Sequence, residues 1–340
     1  MKNKRLWAVL SLLIIFTLAC VVHDQWHLGQ KSQGNRTVKV GVLQYVTHEA
    51  LDEIYAGIKD ELAKDGYSGD RVKIQFLNAE GDQSKIATMS KQLADGHNDV
   101  LIGIATPAAQ GLANASKDTP VVMGAISDPI GAKLVTNLKH PTGNVTGTSN
   151  QVPIADAVKL IQTVTPQTKT VGILYASSED NSVSQVKNFS KAAQKAGLKV
   201  KTYAVPSTNE ITTTMNVISK EVDALWIPQD NTIASAFTTV VSIANSNKLP
   251  IYPSVDTMLK EGGLASVYQS QHQLGVETGK IAVQILKGKK VADIPVKVVD
   301  TGSPAVNLKV AQQLGVTIPD SVLKDAKKSG LVIKQRCKGC

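Results

Sequence analysis

Short apolar runs rich in β-branched residues alternate with longer amphipathic stretches along most of the chain. Val38-Lys39-Val40-Gly41-Val42-Leu43 has the composition of a strand, and Glu49 to Lys64 carries the apolar spacing of a helix. A second strand follows at Val72–Phe76 and a helix at about 83–95. Asp99–Gly103 and Pro120–Gly124 are two further strands, the second introduced by proline. The same order recurs in the second half. Thr170–Tyr175, Leu198–Tyr203, Asp223–Ile227 and Pro250–Pro253 are the strands, with helices at Ser182 to Ala196 and about 209–220. Asp65-Gly66 and Ala196-Gly197 mark two helix ends, where glycine supplies a left-handed cap. Beyond these come a helix at about 273–287, a strand near Val296–Val299 and a helix at about 307–314.

Strand–helix alternation predicts parallel sheets, because parallel neighbours need a crossover and the helix supplies it. Near-continuous apolar strands predict sheets covered on both faces. The doubled pattern therefore predicts an α/β protein of two Rossmann-like lobes with parallel central sheets. In open α/β sheets a ligand binds beyond the carboxyl ends of the strands, so the loops there are the candidate site.

The first segment has a different character. Lys2, Lys4 and Arg5 precede an uncharged apolar run from Leu6 to Val22. As a helix this run reaches ~25 Å, short of a ~30 Å hydrocarbon core, and it reads as an export signal or anchor over 1–22. Thr17-Leu18-Ala19-Cys20 is similar to a lipoprotein cleavage site, which makes Cys20 the candidate for lipidation, although Thr17 stands where that pattern prefers Leu. An uncleaved membrane anchor is the alternative. Either version puts the body on the outer face of the cytoplasmic membrane. Residues 23–37 are polar and unpatterned, as in a linker.

The net charge of +9 suggests nucleic acid until its distribution is considered. Residues 1–36 carry five Lys/Arg against one Asp, and 321–340 carry six against one, so the remainder balances to zero. No basic face and no recognition motif accompany it, which argues against nucleic-acid binding. The cysteines are Cys20, Cys337 and Cys340, none within the body, so a disulfide framework is excluded there. Cys337 and Cys340 are read as part of a basic tail without a folding role.

Catalytic signatures are missing. The chain has no G-x-S-x-G, no phosphate-binding loop, and no G-x-G-x-x-G opening its first helix. His23 and His27 have zinc-protease spacing, but Asp24 follows the first where that motif needs Glu. Neither an enzyme nor a cofactor or metal site is expected. The loops after the strands are instead rich in Ser, Thr, Asn and Asp. These include Gln44-Tyr45-Val46-Thr47-His48, Ala105-Thr106-Pro107, Ser127-Asp128, Ser178-Glu179-Asp180-Asn181, Pro228-Gln229-Asp230-Asn231 and Ser254-Val255-Asp256. Many such residues serve simply as helix caps, yet six polar loops at one cleft exceed what capping requires.

Several segments together carry a resemblance. Ala105-Thr106-Pro107-Ala108-Ala109-Gln110, Ala125-Ile126-Ser127-Asp128-Pro129, Thr146-Gly147-Thr148-Ser149, Tyr175 to Ser182, Pro228-Gln229-Asp230-Asn231-Thr232 and Glu261-Gly262-Gly263-Leu264-Ala265 are in question. In this order they resemble the ABC-transporter substrate-binding family that includes tryptophan/tyrosine-binding proteins of Gram-positive bacteria. The resemblance covers about residues 38–320; the Cys-bearing tail departs from it. It implies the type I periplasmic-binding-protein fold, in which three crossovers join two lobes around a closing cleft. The expected crossings are Gly147–Asn150, Val267–Gln269 and Asp300–Gly302. The lobes then comprise 38–147 with 271–299, and 148–270 with 300–320, leaving 321–340 as tail.

The resemblance also implies an amino acid ligand, preferably aromatic, and an ABC permease with its ATPase as partners. The ligand's carboxylate suits hydroxyls and helix N-termini, with Thr106, Ser127, Thr148, Ser149 and Ser178 as candidates. Its ammonium needs an acid, with Asp230, Asp128 and Asp256 best placed and Asn181 and Asn231 adding hydrogen bonds. Gln44 and Tyr45 are expected at the side-chain end, where Tyr45 stacks on an aromatic ring. His48 is a further possible contact. A DNA-binding regulator on the same fold is excluded, because an apolar export segment occupies the place of its helix-turn-helix. A receptor that presents a nucleoside or sugar to a membrane sensor stays open.

Overall fold

The computed structural model describes residues 36–334. The chain begins with strict alternation: β1 (Val38–Gln44), α1 (Glu49–Lys64), β2 (Val72–Asn78), α2 (Gln83–Asp95), β3 (Val100–Ile104), α3 (Thr106–Ala115) and β4 (Val121–Ile126), then β5 (Val145–Asn150). It starts again with α4 (Ile154–Val164), β6 (Thr170–Ala176), α5 (Asp180–Lys195), β7 (Lys199–Val205), α6 (Ile211–Glu221), β8 (Ala224–Ile227), α7 (Asn231–Ser235), α8 (Phe237–Ser246), β9 (Ile251–Pro253), α9 (Asp256–Glu261) and β10 (Ala265–Tyr268). The last part holds α10 (Gln271–Leu286), β11 (Lys297–Val299), β12 (Ser303–Asn307), α11 (Leu308–Leu314), α12 (Asp320–Ser329) and β13 (Val332–Ile333).

The strands form two lobes. The first sheet has the order β11-β5-β4-β3-β1-β2, and all its pairs are parallel. The second has the parallel order β7-β6-β8-β9. Beside it, β10 pairs antiparallel with β12, and β12 pairs parallel with β13. Adjacent residues of the second sheet feed opposite cores. Ile173 and Trp226 pack in one cluster, while their neighbours Leu174, Leu225 and Ile227 pack in the other. This is why its strands are apolar at successive positions. Phe189 stacks on Trp226 with ring centroids 4.0 Å apart.

Local chemistry sets the helix ends. Acidic Glu49 and Asp52 lie in the first turn of α1 and Lys64 in its last, matching the helix dipole. Gly66 and Gly197, at φ +84° and +85°, supply the left-handed turns expected of them. Helices α1 and α10 touch backbone to backbone. A Cβ at Gly57 would lie 2.1 Å from the His272 carbonyl oxygen, and one at Gly275 2.1 Å from that of Ile54. This contact fixes the N-termini of both helices, which enter the cleft.

Three crossings join the lobes, and one side chain ties them together. Gln269, in the crossing after β10, donates its amide to the carbonyls of Gln151 (2.9 Å), Val299 (2.8 Å) and Thr301 (3.3 Å). Gln151 and Thr301 belong to the other two crossings, and Val299 ends β11 just before the last of them. The crossing after β10 begins at Gln269, because Val267 and Tyr268, expected within it, still pair with Pro304 and Ser303, and another lies between β11 and β12 at Asp300–Gly302. The first falls after Asn150, because Thr148–Asn150 still pair with Lys297–Val299 in the first sheet.

The C-terminal boundary also differs from the sequence expectation. Residues 321–334, placed there in a basic tail, belong to α12, which starts at Asp320, and to β13. Val322 and Ala326 are buried in the second lobe's core, while Lys327 and Lys328 sit in the last turn of α12, where the dipole favours cations. The lysine density concealed an amphipathic helix. Cys20, Cys337 and Cys340 lie outside the described residues.

Candidate ligand-binding site

The two lobes meet around one cavity at the carboxyl ends of their strands. The cavity volume is only about 40 Å³, so it is a narrow slot. From the first lobe it is lined by His48, Ala50, Leu51 and Ile54 at the start of α1, Ala105 and Thr106 after β3, Ala125 and Ser127 around the end of β4, Asn150, and Gln271 at the start of α10. The second lobe contributes Asn181, Gln229, Asp230, Asn231, Ala234, Val255 and Met258.

The first-lobe wall contains strained backbone. Ala105 has φ +75° and Ala125 φ +60°, a region unfavourable for residues with a Cβ. Ala125 lies within a register shift between β4 and β5. At Ala105 the strain turns the chain directly into α3, whose first residue, Thr106, is buried in the wall. Such outliers cost ~1–3 kcal/mol and concentrate at functional sites. The amide groups at the start of α3 have no intrahelical acceptor and favour an anion.

In the second lobe Asp230 is buried and does two things at once. Its Oδ1 accepts from Ile233 N (2.8 Å), capping α7, and its Oδ2 accepts from Ala176 N (2.6 Å). Burial, and then the charge of nearby Glu179, push its carboxyl up to about 7. His48 is held neutral, burial lowering its pKa to about 4. Burial is also the main cause that raises Tyr45 to about 12, with Glu179 second.

The lobes are drawn together by polar contacts. His48 Nε2 lies 3.2 Å from Asn231 Oδ1, Gln185 Nε2 donates to Ser127 Oγ (3.0 Å), Ser184 Oγ to Asp128 Oδ2 (2.7 Å), and Gln110 Nε2 to Asp180 Oδ2 (3.0 Å). Lys260 of α9 lies 3.3 Å from Glu53 of α1. The ion pair sets α9 opposite α1, where Ala50, Leu51, Ile54, Val255 and Met258 make an apolar region. The contacts of Gln185, Ser184 and Asp180 set α5 opposite α3 and the loop after β4, where Thr106, Ser127, Asn181 and Gln229 are polar lining residues.

Of the residues expected from sequence, Thr106, Ser127, Asn181, Asp230 and Asn231 line the cavity. Seven do not. Gln44 turns its amide to Val46 O (3.0 Å) and Asp52 Oδ1 (2.8 Å). Tyr45 is packed in the first lobe's core, its hydroxyl donating to Gly81 O (3.2 Å). Asp128 is taken up by Ser184 and by Gly131 N (2.9 Å). Thr148 accepts from Thr278 inside the lobe (3.1 Å). Ser149 is fully buried in β5, and Ser178 is exposed. Asp256 pairs with Lys260 at 3.3 Å. Sequence reasoning missed Asn150, Gln271 and the apolar residues of α1 and α9, and gave Gln229 and Glu179 no role. The position of Gln229 in a strand-end loop was a usable signal; nothing local marked Asn150 or Gln271.

Comparison with known proteins agrees with this geometry. Residues 39–329 match the family described as ABC transporter substrate binding protein. The chain is 34% identical over 279 residues to a tyrosine-binding protein of Clostridioides difficile, covering 82% of this chain and 81% of that one. A domain from Streptococcus pneumonia solved in complex with L-Trp is 60% identical, with TM-score 0.85, covering 88% of this chain and all of the other. The ligand-free, open structure of a substrate-binding protein with adhesive properties from Clostridium difficile is 33% identical, with TM-score 0.66 and the same 88% coverage of this chain. A two-lobed body with a cleft closed by polar contacts, and a family match across nearly all of that body, lead to one conclusion: this chain belongs to the ABC transporter substrate-binding proteins.

Proposed function

We propose that the protein captures an aromatic amino acid, tryptophan foremost, in the inter-lobe cavity and delivers it to an ABC permease. The observation that carries this reading is the division of one slot into a polar region and an apolar one. A zwitterionic head with an apolar side chain fits that division. The start of α3, with Thr106, receives the carboxylate; Asp230 and the asparagine carbonyls receive the ammonium. Leu51, Ile54, Val255 and Met258 surround the ring, to which a thioether is a favourable neighbour. The L-Trp complex of the Streptococcus pneumonia relative supports the choice of tryptophan.

Proteins of this family bind substrates outside the cytoplasm without transforming them. Lys2–Arg5, the run Leu6–Val22 and Cys20 support tethering to the outer face of the membrane. Cell fractionation with mass analysis of the N-terminus tests it: a soluble cytosolic protein refutes the placement, and an unmodified Met1 refutes lipidation alone.

A thermal-shift screen followed by calorimetry tests the ligand. A compound that binds only the native state raises apparent stability as RT ln(1 + [L]/Kd). Tryptophan is expected to give the largest shift among the amino acids. Stabilisation by a sugar or nucleoside, with none by aromatic amino acids, overturns the reading.

A further inference from the structure

Glu179 is fully buried, yet it is not part of the cavity wall. It sits just before α5, where its own carbonyl accepts from Ser182 N and Val183 N. Its carboxylate gathers donors from both neighbouring loops. Oε1 accepts from Thr232 N and Thr232 Oγ1, each at 2.8 Å. Oε2 accepts from Asn231 N (3.2 Å) and Asn231 Nδ2 (2.5 Å), and lies 3.4 Å from Asn181 Nδ2.

Both oxygens of Glu179 accept from a backbone N–H, of Thr232 and of Asn231. Both asparagines turn their NH2 groups toward these acceptors and their carbonyl oxygens away from them. For Asn181 the direction is fixed twice, since Nδ2 also donates to the Gln229 carbonyl (2.9 Å). Its Oδ1 is left buried, with no hydrogen-bond partner among the described residues, on a side chain that lines the cavity. Asn231 Oδ1 faces His48 Nε2 in the other lobe. Because that oxygen accepts, neutral His48 carries its proton on Nε2. Asn150 adds a second buried carbonyl oxygen without a partner among the described residues, from the first lobe. With Asp230, these two carbonyls give the cavity acceptor groups from both lobes.

We propose that Glu179 is the positioning residue that sets this polarity. By holding the NH2 groups of Asn181 and Asn231, it aims their carbonyls at the ligand's ammonium and at His48. Cation recognition and lobe closure then depend on a carboxylate that touches neither the ligand nor the first lobe. The inference rests on the proposed amino acid ligand and deepens it.

Two measurements test it. The first compares L-tryptophan with indole-3-propionate, the same skeleton without the ammonium, by calorimetry on wild type, Glu179→Gln and Glu179→Asp. A glutamine amide sets a donor against Asn231 or Thr232. In Glu179→Gln, tryptophan affinity is expected to fall at least tenfold and indole-3-propionate less than twofold, with Glu179→Asp restoring part of the difference. Equal losses for both ligands make Glu179 a mere scaffold and overturn the proposal, as does a wild type that binds both equally. The second needs no variant. Nitrogen NMR of wild-type His48 is expected to show the proton on Nε2, and a proton on Nδ1 overturns the proposal. Failure of wild type to bind any aromatic amino acid is distinct, since it refutes the ligand while leaving the His48 tautomer to be read.

Discussion

His48 Nε2 and Asn231 Oδ1 lie 3.2 Å apart, a hydrogen bond that joins one lobe to the other. Few contacts in the molecule couple the state of the cleft so directly to the state of one titratable group. Burial lowers His48 to about 4 from 6.5, so folding requires its neutral form. The stability it contributes is complete above pH 6.5 and is lost as pH falls toward 4. Replacing His48 with Gln keeps a donor and removes the titration. Denaturant unfolding at about pH 7.5 and about pH 4.5 is expected to show the variant gaining ~2–3 kcal/mol relative to wild type on acidification. A pH-independent difference would contradict the buried neutral imidazole.

Asp230 titrates in the opposite sense. Its carboxyl is raised from 3.8 to about 7, first by burial and then by Glu179. The folded state holds a proton there that the unfolded state has lost, so this group's contribution to stability falls as pH rises from 3.8 to 7. Ligand binding shows the converse. An ammonium pairs with the carboxylate form, so tryptophan affinity is expected to weaken below about pH 7, by up to tenfold per pH unit. Calorimetry across that range decides, and a flat profile removes Asp230 from ammonium recognition.

Substituting Asp230 by Ala should act on both stability and affinity. The N–H groups of Ala176 and Ile233 lose their acceptor, and the ammonium loses its charged partner. An affinity loss of ~1.5–3 kcal/mol is expected, accompanied by a lower melting temperature. Lowered stability with unchanged affinity would leave Asp230 as a helix cap only.

Gln269 should matter for the hinge rather than for the ligand. Its single amide serves carbonyls in and beside the other two crossings. Gln269→Ala is expected to cost ~1–3 kcal/mol in stability and to enlarge the radius of gyration of the ligand-free protein in X-ray scattering. Unchanged scattering and stability would mean that the crossings hold their geometry without it.

Gly275→Ala tests the helix contact that carries His48 and Gln271 into the cleft. Its Cβ would fall 2.1 Å from the Ile54 carbonyl oxygen, so the helices must part. Overpacking of this kind costs ~1–3 kcal/mol. Reduced stability together with weaker ligand binding is expected; wild-type stability and affinity would mean that the helix contact yields without disturbing the cleft.

Much of the fold was legible because burial leaves a local trace. Ile173 and Leu174 are both apolar since each faces a different core, and such runs identify covered parallel strands. The same logic failed at β12, where Ser303-Pro304-Ala305-Val306-Asn307 is too short and mixed to stand out. It failed at α12, where lysines outnumber the few apolar residues that reach the core.

The candidate site was legible in part, for a geometric reason. Thr106, Ser127, Asn181, Asp230 and Asn231 stand just past strand ends, in loops or at the starts of helices, and in a parallel sheet those ends converge. Thr148 and Ser149 have the same chemistry but lie within β5, where the pleat points them into the lobe. Ser178 is only three residues before Asn181, yet it is exposed in the loop while Asn181 is buried at the start of α5.

The sequence by itself determined the two parallel α/β lobes, the helix ends at Gly66 and Gly197, and the loops that supply polar chemistry. Each depends on periodicity or on a residue's own conformational preference, which act over a few neighbouring positions. Only the tertiary structure decided which polar side chains share the cavity, that Gln269 spans the crossings, and that Glu179 orients Asn181 and Asn231. Those relations join residues far apart in the chain. Their partners are chosen by how the lobes close, a matter of packing between elements that no local pattern encodes.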